Sequence, residues 1–229
     1  MILRRTSWLV MTCLSALVVL VSSRYLQFEP SNYFEEQRSV YVQREAILGL
    51  HIVGGMLALL LGPWQFVTAI RTRLPRLHRV MGRGYVVGVG AGALGGLLLA
   101  PTAYGGVVST LGFATLGLLW AGTTVQAVVA VRRGNYYEHR RWMILSFSLS
   151  FAAVTLRLLL GGFAGLDAVG LAPGSFAVAY AAIAWLCWLP NLTLAAWWTR
   201  DRSPTDGGHH QRLDGVQPVL GLIEGDVRR

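Results

Sequence analysis

Arginine changes sides along this chain, and that alternation constrains the fold more than any other feature. Apolar runs over about residues 7–23, 45–69, 84–100, 107–131, 142–162 and 175–198 are separated by short polar connections. Each is close to the ~20 residues that a helix needs to cross the ~30 Å hydrocarbon core of a bilayer. Sixteen of the twenty arginines lie before the first run, between the second and third, between the fourth and fifth, or after the sixth. Arg24, Arg38 and Arg44 lie on the other side, and Arg157 falls inside the fifth run. Positive charge is retained on the cytoplasmic side of a membrane. The expectation is therefore an all-α integral bundle of six transmembrane helices in a bacterial inner membrane, with both termini cytoplasmic.

Composition agrees with a membrane class, since 54% of residues are hydrophobic and 14% charged. The net charge of +9 would suggest nucleic acid in a soluble protein. Here the arginines flank apolar spans, so topology accounts for them and no nucleic-acid partner is expected. The expected partner is the lipid bilayer, with quinone or other membrane proteins as further candidates. Cys13 and Cys187 both lie in apolar runs and read as small core residues, not a disulfide framework.

Val21-Ser22-Ser23 has the character of a signal cleavage site, but the apolar run before it favours a retained first helix. Residues 24–44 form the longest outer connection, with a short interfacial helix expected from Tyr33 to Arg44. The other spans read as continuous, with no obvious break. Gly84, Gly88 and Gly92 fall four apart and share one helix face, which permits close backbone approach. Residues 199–229 read as a polar, disordered cytoplasmic tail, in which His209 and His210 are solvated.

Charged groups inside a span are costly and mark functional sites or buried pairs. Arg157 lies about five residues from the outer end of its run, and His51 about six from the outer end of its own. At ~1.5 Å per residue both lie roughly 8 to 9 Å below the outer boundary. An outward-facing pocket formed by His51 and Arg157, with Glu45 above, would suit an anionic headgroup, a quinone or a haem propionate. The ordinary alternative is that Arg157 snorkels to headgroups and His51 bonds a neighbouring helix.

A pattern recurs at a constant offset of 61 residues. Gln65 through Arg71 followed by His78-Arg79 is matched by Gln126 through Arg132 followed by His139-Arg140. Both segments cross inward, turn and cross outward, so the hairpins at about 45–100 and 107–162 read as a parallel repeat. His78 and His139 then become symmetry mates, with Gln65 and Gln126 as supporting donors. Two imidazoles across an axis suit a haem iron, making haem b the candidate cofactor. Convergence on the same inner-boundary residues is the plain alternative. The chain carries no CxxCH, Walker loop, dinucleotide fingerprint, HExxH or nucleophile elbow. No catalytic residue and no metal site is named.

Three stretches carry a family likeness. HIVGGMLALLLGPWQF at 51–66, RLHRVMGRGYV at 76–86 and EHRRWMILSFSLSFAAVTLRL at 138–158 resemble the bacterial membrane proteins of domain of unknown function 2306. The likeness covers about residues 40–200. It implies a polytopic bacterial membrane protein and brings no activity, substrate or catalytic residue. The six-span architecture also resembles, more distantly, six-helix b-type cytochromes, whose buried histidine pairs this sequence lacks. Three functions are compatible with these observations. They are a haem- or quinone-associated redox protein, a small-molecule or ion permease through the His51/Arg157 pocket, and a non-catalytic assembly or interaction protein.

Overall fold

A computed structural model describes residues 2–172 and 174–200 of the chain. From residue 201 onward the expected polar tail, with His209 and His210, lies outside the described residues. The described elements are helices, and no strand occurs among them. In chain order they are α1 (Ile2–Ser22), α2 (Arg38–Gln43), α3 (Glu45–Gln65), α4 (Thr68–Arg73) and α5 (Pro75–Leu99). After these come α6 (Gly106–Arg132), α7 (Tyr136–Ser150), α8 (Ala152–Ala168), α9 (Phe176–Leu186) and α10 (Leu189–Arg200). Six segments are long and apolar enough to cross a membrane: Thr6–Gln27, Glu45–Gln65, Pro75–Thr102, Gly106–Arg132, Tyr136–Ala168 and Phe176–Arg200.

Two of these segments begin well before their apolar runs. α5 starts at Pro75, whose fixed φ and missing N–H suit the first helical position. Arg76, Arg79 and Arg83 therefore stand on a helix instead of in a turn. α7 starts at Tyr136 because Asn135 caps it, its side chain accepting from Glu138 N at 3.0 Å. His78 and His139 occupy the same place in their helices, donating their backbone N–H to Leu74 O and Asn135 O respectively, each at 3.0 Å.

The two hairpins differ at one proline. Pro63 cannot donate within α3, and the chain tightens there. Phe66 N bonds Pro63 O at 3.3 Å and Val67 N bonds Trp64 O at 3.2 Å, ending the helix at Gln65. Thr124 holds the equivalent register in the second hairpin, and α6 runs unbroken to Arg132.

The expectation of continuous spans is corrected in the fifth and sixth. α7 and α8 are separated at Phe151, where Val154 N bonds Phe151 O at 2.9 Å in a tightened turn. α9 and α10 are separated at Cys187 and Trp188, just before Pro190, which has no N–H to offer the preceding turn. The connection between α1 and α3 is also less regular than a helix from Tyr33 to Arg44. Short 3-10 turns at Ser23–Gln27, Pro30–Asn32 and Glu35–Gln37 precede the six-residue α2. Glu29-Pro30 and the positive φ of 54° at Phe28 interrupt any longer helix.

α3 and α5 pack closest. A Cβ placed on Gly54 would collide with the Gly92 backbone and come within 2.6 Å of Gly88 O. The glycine face of α5 thus meets a glycine on α3, and backbone meets backbone. The central core gathers Ala58, Tyr85, Val89, Trp120, Met143 and Phe147 from α3, α5, α6 and α7. α1 is tied to α3 by Trp8 Nε1, which donates to Pro63 O at 2.9 Å. Gln37 closes the opposite end, donating from Nε2 to Thr102 O at 3.0 Å.

Candidate functional site

The end of the bundle formed by the last turn of α3 and the first turns of α5 and α7 carries most of the described arginines. Gln65 enters it from the interrupted last turn of α3. Its side chain is buried, and its Nε2 has no hydrogen-bond partner among the described residues. Its Oε1 lies 3.4 Å from where a Cβ on Gly82 would stand. Gly82 is one helical turn beyond His78 on α5, so the Gln65 amide lies beside the turn of α5 that follows the turn of His78. The Nδ1 atom of His78 is likewise buried and unpartnered. His139 and Arg71 stand near enough to His78 for their charges to act on it.

His139 is held differently. Its Nδ1 lies 2.9 Å from Ala127 O on α6. A carbonyl can only accept, so Nδ1 carries the proton and Nε2 carries the lone pair of the neutral ring. That arrangement orients a histidine for ligation or proton acceptance through Nε2. The hairpin symmetry fails at the glutamines. Gln126 is exposed on α6, while Gln65 is buried.

At the other end, His51 donates from Nδ1 to Gly92 O at 2.7 Å. Gly95 and Gly96 make room for it, since a Cβ at Gly95 would lie 2.7 Å from His51 N and one at Gly96 would lie 3.1 Å from Nδ1. Arg157 donates from Nη1 to Ala153 O at 3.0 Å and from Nη2 to Ser22 Oγ at 2.7 Å. No hydrogen bond joins His51 to Arg157, although the guanidinium charge reaches the imidazole. Glu45 instead accepts from Tyr33 Oη at 3.4 Å. His51, Arg157 and Glu45 are thus each anchored on protein atoms.

A third polar group lies in the middle of the bundle, within the central core. The Tyr85 hydroxyl lies 2.8 Å from Ser146 Oγ and 3.0 Å from Ser150 Oγ. Trp120 Nε1 donates to Ser150 Oγ at 2.9 Å, and Thr124 Oγ1 lies 2.7 Å from Ser146 Oγ. All five side chains are buried. They join α5, α6 and α7 through a continuous chain of hydrogen bonds. The available signal was the four-residue spacing of Ser146 and Ser150, which places both hydroxyls on one face of α7. Thr124 also lines a groove of about 280 Å³ between α5 and α6, walled by Val86, Val89, Val125 and Val128 and ending at Arg132.

The family segments converge on this core. Gly62 lies against the Phe147 ring, and a Cβ there would approach Tyr85 Cε2 to 3.3 Å. Phe66 meets Phe147 edge-on at 5.6 Å between ring centroids. The comparison with protein families finds one described as "Predicted membrane protein (DUF2306)", which matches residues 48–199. No curated protein and no solved structure matches the chain.

Proposed function

We propose, for a chain that belongs to the DUF2306 family of predicted membrane proteins, that its function centres on binding a quinone-type ligand at the arginine-rich end. One observation carries the reading: among the described residues Gln65 Nε2, at the end of α3, and His78 Nδ1, in the first turn of α5, are both buried and unpartnered. An unmet polar atom in an apolar bundle is costly, and a ligand that pairs with it removes the cost. Gln65 Nε2 can only donate, so it calls for an acceptor such as a carbonyl oxygen. His78 Nδ1 can donate to a quinone carbonyl or accept from a hydroquinone hydroxyl, according to its tautomer. The pair therefore suits a ligand that changes between those two forms.

The distribution of arginine supports placing this end at the cytoplasmic face of a bacterial inner membrane. A second reading, haem b, is favoured by one specific feature. His139 would hold the haem iron through Nε2, since its Nδ1–H is held by Ala127 O.

The test is purification of the full chain after haem supplementation, followed by a visible spectrum and organic extraction. Retained quinone, lost in both Gln65→Leu and His78→Ala, supports the leading reading. A Soret band lost in His139→Ala supports haem. A colourless preparation with no co-extracted quinone, which also fails to bind an added short-chain ubiquinone, overturns both.

A further inference from the structure

Arg157 stands within the fifth span, at the far end of the bundle from Gln65 and His78. A guanidinium in such a place normally meets a carboxylate, because an uncompensated charge in low dielectric costs several kcal/mol. Among the described residues no carboxylate pairs with it. Its two bonds go to neutral oxygens, Ala153 O and Ser22 Oγ. The groups on which its charge acts are Tyr25, Tyr41 and His51. None of these is an acid at neutral pH in the ordinary sense. His51 is uncharged when its Nδ1–H serves Gly92 O and Nε2 keeps its lone pair.

The nearby acids are turned elsewhere. Glu45 is taken by Tyr33, and Glu36 and Glu29 are exposed on the connection between α1 and α3. Among the described residues Arg157 is therefore left without a carboxylate partner where the connection meets the bundle.

The geometry of the guanidinium adds direction. Arginine carries five N–H donors in a rigid fork. Ser22 is buried, and together with Ala153 it uses one N–H from each terminal nitrogen and fixes the plane of the group. Three donors remain, and the residue keeps part of its surface exposed. A fixed fork with open donors matches two oxygens of a phosphate.

We infer that Arg157, held by Ser22 and Ala153, is a binding site for a phosphate-bearing anion. The chemistry is shared by an anionic phospholipid headgroup and by free phosphate. This site is separate from the Gln65/His78 site and stands or falls without it.

The experiment uses the full chain in phosphatidylcholine nanodiscs. Phosphatidylglycerol is titrated in one arm. Inorganic phosphate is titrated against chloride at constant ionic strength in the other. Thermal stability is followed in both arms, and retained lipid is counted by native mass spectrometry. A rise in melting temperature with phosphatidylglycerol alone identifies a lipid headgroup, and a rise with inorganic phosphate alone identifies a soluble anion. Either is expected to weaken about tenfold or more in Arg157→Gln. Arg157→Lys, which keeps the charge and loses the fork, is expected to fall between the two. Ser22→Ala keeps the guanidinium and frees its plane, so a weakened response there supports the site even if Arg157→Gln does not fold. A wild-type protein that responds in neither arm and retains no phosphatidylglycerol overturns the inference. So does a response that Arg157→Lys and Ser22→Ala both leave unchanged.

Discussion

Tyr85 and Ser146 are 61 residues apart, yet their hydroxyl oxygens lie 2.8 Å from each other inside the bundle. The same phenol reaches Ser150, which also receives Trp120. Removing the phenolic oxygen leaves two serines short of a partner in a place that water does not reach. Tyr85→Phe is expected to destabilise the protein by about 1 kcal/mol or more, an upper-range value for hydrogen bonds between membrane helices. Ser148 bonds only within its own helix, to Leu145 O at 2.8 Å. Ser148→Ala is expected to change little. Unfolding in mixed micelles compares the two, and equal effects would show that the central network adds nothing.

The Gly54–Gly92 contact makes a sharper claim about packing. A methyl group on Gly54 would strike backbone, which cannot rotate away. Gly54→Ala is expected to cost about 1 to 3 kcal/mol through overpacking. At Gly55 an added Cβ meets nothing within 4 Å. Gly55→Ala is therefore expected to be neutral or slightly stabilising, since alanine is the better helix former. Thermal melting of these neighbouring variants isolates helix approach from general tolerance.

Gln65 offers an unusual sign. Replacing a buried polar group normally destabilises, because its partner is stranded. Among the described residues Gln65 Nε2 has no partner to strand. Gln65→Leu is expected to leave the ligand-free protein as stable as the wild type or more so, while quinone retention falls. Loss of stability without any change in retention would place Gln65 in a purely structural role.

Orientation is open to direct labelling. Glu36 and Arg73 are exposed at opposite ends of the bundle. In a Cys13→Ser, Cys187→Ser background, Glu36→Cys is expected to react with an impermeant maleimide in intact cells. Arg73→Cys is expected to react only after permeabilisation. The reverse pattern would invert the proposed topology.

Much of this architecture was legible in the residues themselves. A backbone in hydrocarbon has to satisfy its own hydrogen bonds, so an apolar stretch of sufficient length is already a helix. That rule predicted six apolar helices, and among the described residues six are long and apolar enough to cross a membrane. The places where it faltered have local causes. Pro75 and Asn135 carry helices into arginine-rich stretches that read as turns, because helix starts depend on capping and not on hydropathy. The breaks at Phe151 and at Cys187 and Trp188 lie inside apolar runs, where hydropathy is blind to them.

Periodicity states which side of a helix a residue occupies, but not what stands across from it. Gly88 and Gly92 announced a close neighbour without naming Gly54. Gln65 and Gln126 share a register in the sequence, yet one is buried and the other exposed. His51 and Arg157 were matched by depth, but depth leaves the rotation of each helix free. The structure gives His51 to Gly92 and Arg157 to Ser22. The sequence alone determined a six-span membrane bundle, because solvation by lipid acts on every residue locally. Tertiary structure alone decided which polar atoms are paired and which are left unmet. That depends on how helices distant in sequence are turned toward one another.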